Sequence, residues 1–173
     1  MVKPRELNKL VRIRNILEDT LDHFPEGNCD AASLILVTIF NWEEWEGYVN
    51  SEKGVEFSMQ EDNAHQWAVN PKTNEDVDIS LDQFDGFDYP IYVLPKNNDI
   101  LIGAKITDTP DHRSKLLREP DVWMAVDRCY KKAGLNFLEK RRIMNLRRNY
   151  FRATSDEYIA DRKEAIEALG IKS

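Results

Sequence analysis

The chain has 173 residues, 42% hydrophobic and 32% charged, with seven Gly, seven Pro and a net charge of −7. This is a globular composition, neither disordered nor fibrous, and the length allows a core that needs no disulfide or metal staple. No apolar run approaches the roughly 18–20 residues of a membrane span, and with only two cysteines and no secretory h-region at the start a reducing cytoplasm is the expected setting.

Residues 5–22 place Leu7, Leu10, Val11, Ile13, Leu17 and Leu21 at helical spacing, which predicts an amphipathic helix. Pro25 and Gly27 break it. A second helix is predicted from Asp30 to Trp45, and its AASLILVTIF run is apolar nearly all round, so it belongs in the middle of a domain. From Gly47 to Thr107 the texture is of short β-type runs separated by turn residues: VEFSMQ, HQWAV, EDVDIS, YPIYVL and DILIGAKIT. After Pro110 the chain turns helical again. DVWMAVDRCYKKAG ends on Gly134, a further helix is expected from Asn136 to about Arg152, and Thr154 with Glu157 has capping-box spacing for a last helix ending near Gly170. Helices, then strands, then helices favour an α+β class over alternating α/β. The reading is one domain over 1–173, with 1–112 as the core carrying the chemistry and 113–173 as a helical extension packed on it.

Charge is distributed unevenly. Residues 1–112 carry 9 Lys+Arg against 22 Asp+Glu, whereas residues 113–152 carry 12 against 4. A basic helical block of this kind is either a docking face or a face packed against the acidic part of its own domain.

Cys29 stands at the start of the second helix, after Gly27. A thiol there faces unpaired backbone N–H groups and the positive end of the helix dipole, which favour the nucleophilic thiolate. Read alone, Cys29 is more simply a small buried hydrophobe, since free cysteine is commonly buried. Cys129 is the contrast: it shares a helical face with Val122, Ala125, Val126, Tyr130 and Ala133 and reads as core. Further on, HQWAVNPKTNEDVDIS reads as a hairpin closed by a four-residue NPKT loop. That closure pairs Val69 with Asn74, Trp67 with Asp76 and His65 with Asp78. A carboxylate directly across from His65 would accept its N–H, fix its tautomer and stabilise its cation. Asp76 is the second choice for that partner. The plain alternative is a surface hairpin carrying an ordinary His–Asp pair.

Cys29, His65 and Asp78 together supply a nucleophile, a base and an orienting group, with the Cys29 backbone N–H as an oxyanion donor. Gly27-Asn28-Cys29 opening a core helix, His65-x-Trp67 on a strand and Val77-Asp78-Ile79-Ser80 on the next resemble the papain-like cysteine hydrolases, most closely their transglutaminase-like branch. Gln83-Phe84 is similar to the end of that signature. The resemblance spans residues 27–84, about a third of the chain. It implies an α+β fold with the nucleophile's helix packed on an antiparallel sheet. Where papain-like proteases carry an oxyanion Gln, this chain has His23, whose imidazole could donate in its place or merely end a helix. Asn28 and Trp67 are further candidates for oxyanion or substrate contacts.

The resemblance implies a cysteine hydrolase or acyltransferase that opens an amide, isopeptide or thioester bond of a protein or peptide through an acyl-enzyme. The alternative is an inactive relative used as a binding module, its basic helices holding nucleic acid or an acidic protein through Arg141, Arg142, Arg147 and Arg148. Of these partners an acidic protein is expected and nucleic acid is not, because the acidic first 112 residues repel a polyanion. Asp76, Asp78, Ser80 and Asp82 mimic a calcium loop, but Leu81 and Phe87 stand where that loop needs Gly and Glu. His23, Cys29 and His65 lack the ligand spacing of a zinc site. His112, in a loop-like segment, is a weaker base candidate than His65. Without a glycine-rich phosphate loop or GxSxG elbow, no cofactor is expected.

Overall fold

A computed structural model describes residues 1–51, 54–56, 64–107 and 115–151. It is α+β: helices at both ends of the described chain enclose a curled antiparallel sheet. Helix α1 spans Pro4–Glu18, with Pro4 in its first turn and the Glu6 carboxylate accepting the Lys3 N–H at 3.0 Å. Both features favour helix initiation. Leu10, Ile13 and Leu17 are fully buried, whereas Leu7 and Val11 of the predicted stripe are exposed. The helix ends at Glu18 rather than residue 22, and the turns after it still deliver Leu21 to the core.

Helix α2 spans Cys29–Phe40, and nine of its twelve residues are buried. Each fully buried Leu, Ile or Val there contributes about 1.5–3 kcal/mol, so this helix is the hydrophobic centre. It stops five residues short of the predicted Trp45, because Asn41 adopts the left-handed conformation (φ 59°, ψ 46°) that Asn tolerates better than most residues. Residues Glu43–Ser51 then form strand β1, which pairs with three other strands along its length. Those ladders override the helical reading of WEEWE.

The sheet continues with β2 (Gly54–Glu56), β3 (His65–Asn70), β4 (Glu75–Asp78), β5 (Tyr92–Pro95) and β6 (Leu101–Lys105). Its order is β2-β1-β3-β4-β5, with β6 also paired to β1, and every pairing is antiparallel. Gly47 faces Gly103 across β1 and β6. A Cβ on Gly103 would collide with the Glu46 carbonyl and, at 2.7 Å, with the Trp67 ring, so glycine permits the close approach that curls the sheet. Ala68, Val77 and Ile79 pack with α1 and α2 in one cluster, while Trp67, Val69, Val49, Leu81, Phe84 and Leu101 form a second.

Helix α3 (Pro120–Lys132) ends before Gly134, whose φ of +71° is the left-handed stop expected of it. A further helix, α4, covers 137–151. Asn136 and Glu139 cap it reciprocally, with bonds of 2.7 and 3.0 Å. The Glu139 carboxylate also binds Lys9 of α1 at 2.5 and 2.6 Å, and both side chains are buried. Val122, Ala125, Val126, Cys129 and Ile143 join the cluster built by α1 and α2. Phe137, Leu138 and Met144 of α4 are exposed. His112, the helix proposed over Thr154–Gly170 and the end of the VEFSMQ run lie outside the described residues.

Candidate active site

Cys29 is the first residue of α2, with Asn28 as its N-cap. Both side-chain hydrogens of Asn28 are engaged, donated to the Asp22 and Glu26 carbonyls at 3.1 and 2.9 Å. Asn28 thereby braces the loop that presents the thiol. The Ala31 N–H is taken by Asp30 at 2.7 Å and the Ala32 N–H by the Asn28 carbonyl at 3.0 Å. His23 lies in the preceding turn, exposed and with φ 59°; only its backbone carbonyl, accepting the Glu26 N–H at 2.8 Å, is tied into that turn.

His65 opens β3 and Asp78 closes β4, and the hairpin between them is registered differently from the sequence reading. Asn70 pairs with Glu75, Val69 with Asp76 and Ala68 with Val77. The loop is thus Pro71–Asn74, one residue later than NPKT. Asn74 takes φ 56°, and Asn70 Oδ1 accepts the Lys72 N–H at 3.1 Å. Moving the loop by one residue shifts the pairing by two. Because side chains alternate with period two, the face is preserved and only the partner changes from opposite to diagonal. His65 reaches Asp78 along that diagonal, Nε2 to Oδ2 at 2.5 Å, and Trp67 reaches Asp76 in the same way, Nε1 to Oδ1 at 3.1 Å.

The Asp78 carboxylate is fully used. Oδ1 accepts the Ser80 N–H at 2.7 Å and the Ser80 hydroxyl at 2.9 Å, while Oδ2 faces His65. An ionised carboxylate only accepts, so His65 Nε2 is the protonated nitrogen. Nδ1 is buried and makes no well-formed hydrogen bond. The ring is clamped between Trp67, stacked at 6.0 Å, and Phe84, edge-on at 5.0 Å. Burial is the largest influence on the imidazole and disfavours its cation. The charge and hydrogen bond of Asp78, with smaller contributions from Cys29, outweigh it and raise the pKa to about 10. Cys29 is thus close enough to His65 to help hold its proton. His65 is 0% exposed, Asp78 2% and Cys29 5%, so water screens little of this charge.

Asp76 is not a second partner for His65. It binds Trp67, accepts from Asn98 Nδ2 at 2.7 Å and pairs with Lys96 at 3.1 Å. Burial raises its pKa more than these contacts lower it. Lys96 lies 3.5 Å over the Trp45 ring, so Trp67 belongs to a packed polar cluster beside the His–Asp pair. Cys129 is fully buried, and burial alone pushes its thiol up to about 12. Among the described residues no three His, Cys, Asp or Glu side chains could hold a metal ion, and no helix is long and apolar enough to cross a membrane.

The four arginines of α4 do not form one free face. Arg142 donates to the Ile39 carbonyl at 2.8 Å, Arg147 lies over Trp123 and 3.5 Å from Asp127, Arg148 bonds Asn145 at 3.3 Å, and Arg141 is exposed. A cleft of about 200 Å³ opens at the far end of α2 from Cys29, where Lys3, Lys72 and Arg142 meet Phe40, Trp42 and Glu6. The sequence reading singled out Cys29, His65 and Asp78 but gave no role to Arg14. The one available signal for Arg14 was a cation beside Ile13, inside the apolar stripe of α1. No protein-family model matches the chain, and no curated protein or solved structure matches it either.

Proposed function

We propose that this protein is a cysteine hydrolase or acyltransferase of papain-like, transglutaminase-like type, acting on an amide, isopeptide or thioester carbonyl of a protein or peptide. The observation that carries the reading is the buried His65–Asp78 bond, which commits Nε2 and leaves Nδ1 for the thiol at the start of α2. With the imidazolium favoured by Asp78 up to about pH 10, the Cys29 proton rests on Nδ1 and the resting pair is a thiolate and an imidazolium. Sγ attacks the carbonyl carbon, and the oxyanion forms beside the Cys29 N–H at the helix start. The imidazolium protonates the departing amine or thiolate, leaving a thioester on Cys29. Water or an acceptor amine, losing its proton to Nδ1, then attacks the thioester and returns the thiol.

The test is a short iodoacetamide pulse on the native protein at pH 6–7, followed by mass mapping of both cysteines. Cys29 should alkylate readily and Cys129 only after unfolding. His65→Ala should slow Cys29. Equal rates for the two thiols, or indifference to His65→Ala, would remove the reading. A second reading, a binding module for an acidic protein segment, is favoured by the cleft at the other end of α2, where three cations face one carboxylate beside an aromatic wall.

A further inference from the structure

Arg14 is a buried cation on α1, 4% exposed, and its guanidinium is nearly saturated. Nε donates to Glu18 at 2.8 Å, Nη1 and Nη2 grip the Asp82 carboxylate at 2.8 and 2.7 Å, and Nη1 also donates to the Ile79 carbonyl. The Phe24 ring lies 4.6 Å from Cζ. These contacts are not distributed at random along the chain. Ile79 follows Asp78 directly and Asp82 closes the turn that carries Ser80, the hydroxyl that holds Asp78 Oδ1. Phe24 belongs to the loop that leads from α1 into Cys29. One side chain thus touches the segment that sets the nucleophile and the segment that sets the orienting carboxylate.

We propose that Arg14 is a positioning residue that fixes the Asp78 turn and the Cys29 loop relative to each other. The proposal rests on the reading of Cys29, His65 and Asp78 as the reacting set. A planar fork suits this role because it can hold a carboxylate with two bonds, a carbonyl with a third and an aromatic face at the same time, and a lysine ammonium cannot. The requirement is tight, because a misplacement of about 1 Å at a reacting pair costs on the order of a hundredfold in rate.

Burial alone would make Arg14 important for stability, so the experiment needs a matched structural control. Lys9 is on the same helix, buried to a similar degree and paired with Glu139, but it touches neither segment. Native Cys29 alkylation is followed from pH 5.5 to 9.5 in Arg14→Gln, Arg14→Lys, Asp82→Asn and Lys9→Met, with thermal midpoints measured alongside. Arg14→Gln should lower the rate at pH 6.5 by about tenfold or more and move the profile up by about one pH unit. Arg14→Lys and Asp82→Asn should give smaller shifts in the same direction. Lys9→Met should lower the midpoint while leaving the profile in place. A wild-type profile in Asp82→Asn and both folded Arg14 variants, or equal displacement by Lys9→Met, overturns the proposal. Should Arg14→Gln fail to fold, Arg14→Lys and Asp82→Asn decide the matter. His65→Ala separates the two levels: if it moves the profile and the Arg14 and Asp82 changes do not, only the role of Arg14 falls. If His65→Ala also leaves the profile unmoved, the reading of the site falls with it.

Discussion

Replacing Asp78 with Asn is the most informative single change, because it keeps the shape of the side chain and removes its charge. The amide oxygen can still accept both Ser80 bonds, now 2.7 and 2.9 Å, so the turn after β4 is retained. What changes is the group opposite His65 Nε2, where an acceptor 2.5 Å away becomes an N–H donor. Nε2 must then accept, and the ring proton moves to Nδ1, the nitrogen needed by the thiol. Burial, already the largest influence on a ring that is 0% exposed, is no longer opposed by a counter-charge, so the imidazole stays neutral. Removing one partner of a buried pair costs about 3–5 kcal/mol of stability, and the retained Ser80 bonds place this case at the low end. The effect on chemistry is larger. A free cysteine in water is about 1% thiolate at pH 6.5, which sets the scale for a thiol left without a base. Cys29 alkylation at pH 6.5 should therefore fall by roughly a hundredfold and recover towards the wild-type rate above pH 9. Pulse alkylation with mass mapping reads this directly, and Cys129 reports any unfolding within the same sample. A variant that alkylates Cys29 at the wild-type rate at pH 6.5, with Cys129 still protected, would show that Asp78 does not act through His65.

The same pair makes stability depend on pH. His65 has its folded pKa raised from 6.5 to about 10, so its contribution is complete below about pH 6.5 and is lost as pH climbs towards 10, at up to about 1.4 kcal/mol per pH unit. Urea unfolding at pH 6.5 and 8.5 should show this loss in the wild type and not in His65→Gln, whereas parallel behaviour of the two proteins would contradict the assignment. Cys129, raised from 9.0 to about 12, adds a further loss in the same direction only above about pH 9, where the unfolded thiol ionises and the buried one does not. At the other end of α2, Lys72→Glu with Arg142→Glu should abolish binding of a poly-glutamate peptide, measured by fluorescence anisotropy in low salt, and leave Cys29 alkylation unchanged. Unaltered peptide binding would remove the cleft as an acidic docking site, and tight RNA or DNA binding at physiological salt, lost in the same variant, would show that the cleft takes a different polyanion.

What was legible in the sequence is what local chemistry determines. Gly27, Asn28 and Cys29 mark the start of a helix, and alternation along HQWAV and EDVDIS puts His65, Trp67, Asp76 and Asp78 on one face. Pairing His65 with Asp78 and Trp67 with Asp76 therefore held for the side chains, even though the backbone ladder is displaced by two. Loop closure was the less legible step, because Asn70 and Asn74 are both turn formers and only the completed sheet selects Asn74 for the left-handed position. The overlong helix has the same origin. Trp42 to Trp45 are as compatible with a helix as with a strand until β3 and β6 offer their edges. Lys9 and Arg14 were illegible for another reason: a cation on an amphipathic helix normally points to water, and their partners Glu139 and Asp82 are 130 and 68 residues away.

The two cysteines give a comparison at nearly constant burial, 5% exposed for Cys29 and 0% for Cys129. Cys129 is surrounded by apolar residues of one cluster, and burial by itself keeps its thiol neutral and inert. Cys29 instead adjoins an imidazole whose second nitrogen is bound to a buried carboxylate. If the His–Asp pair served only to hold β3 against β4, an unpaired Nδ1 would be pure cost, about 1–3 kcal/mol for a buried polar group without a partner. Apolar side chains of similar volume would hold the strands as well or better. The cost makes sense when Nδ1 does have a partner, one that is poorly bonded as a neutral thiol and strongly bonded as a thiolate. On that view the orphaned nitrogen is the place where the fold gives up some stability to keep a proton transferable.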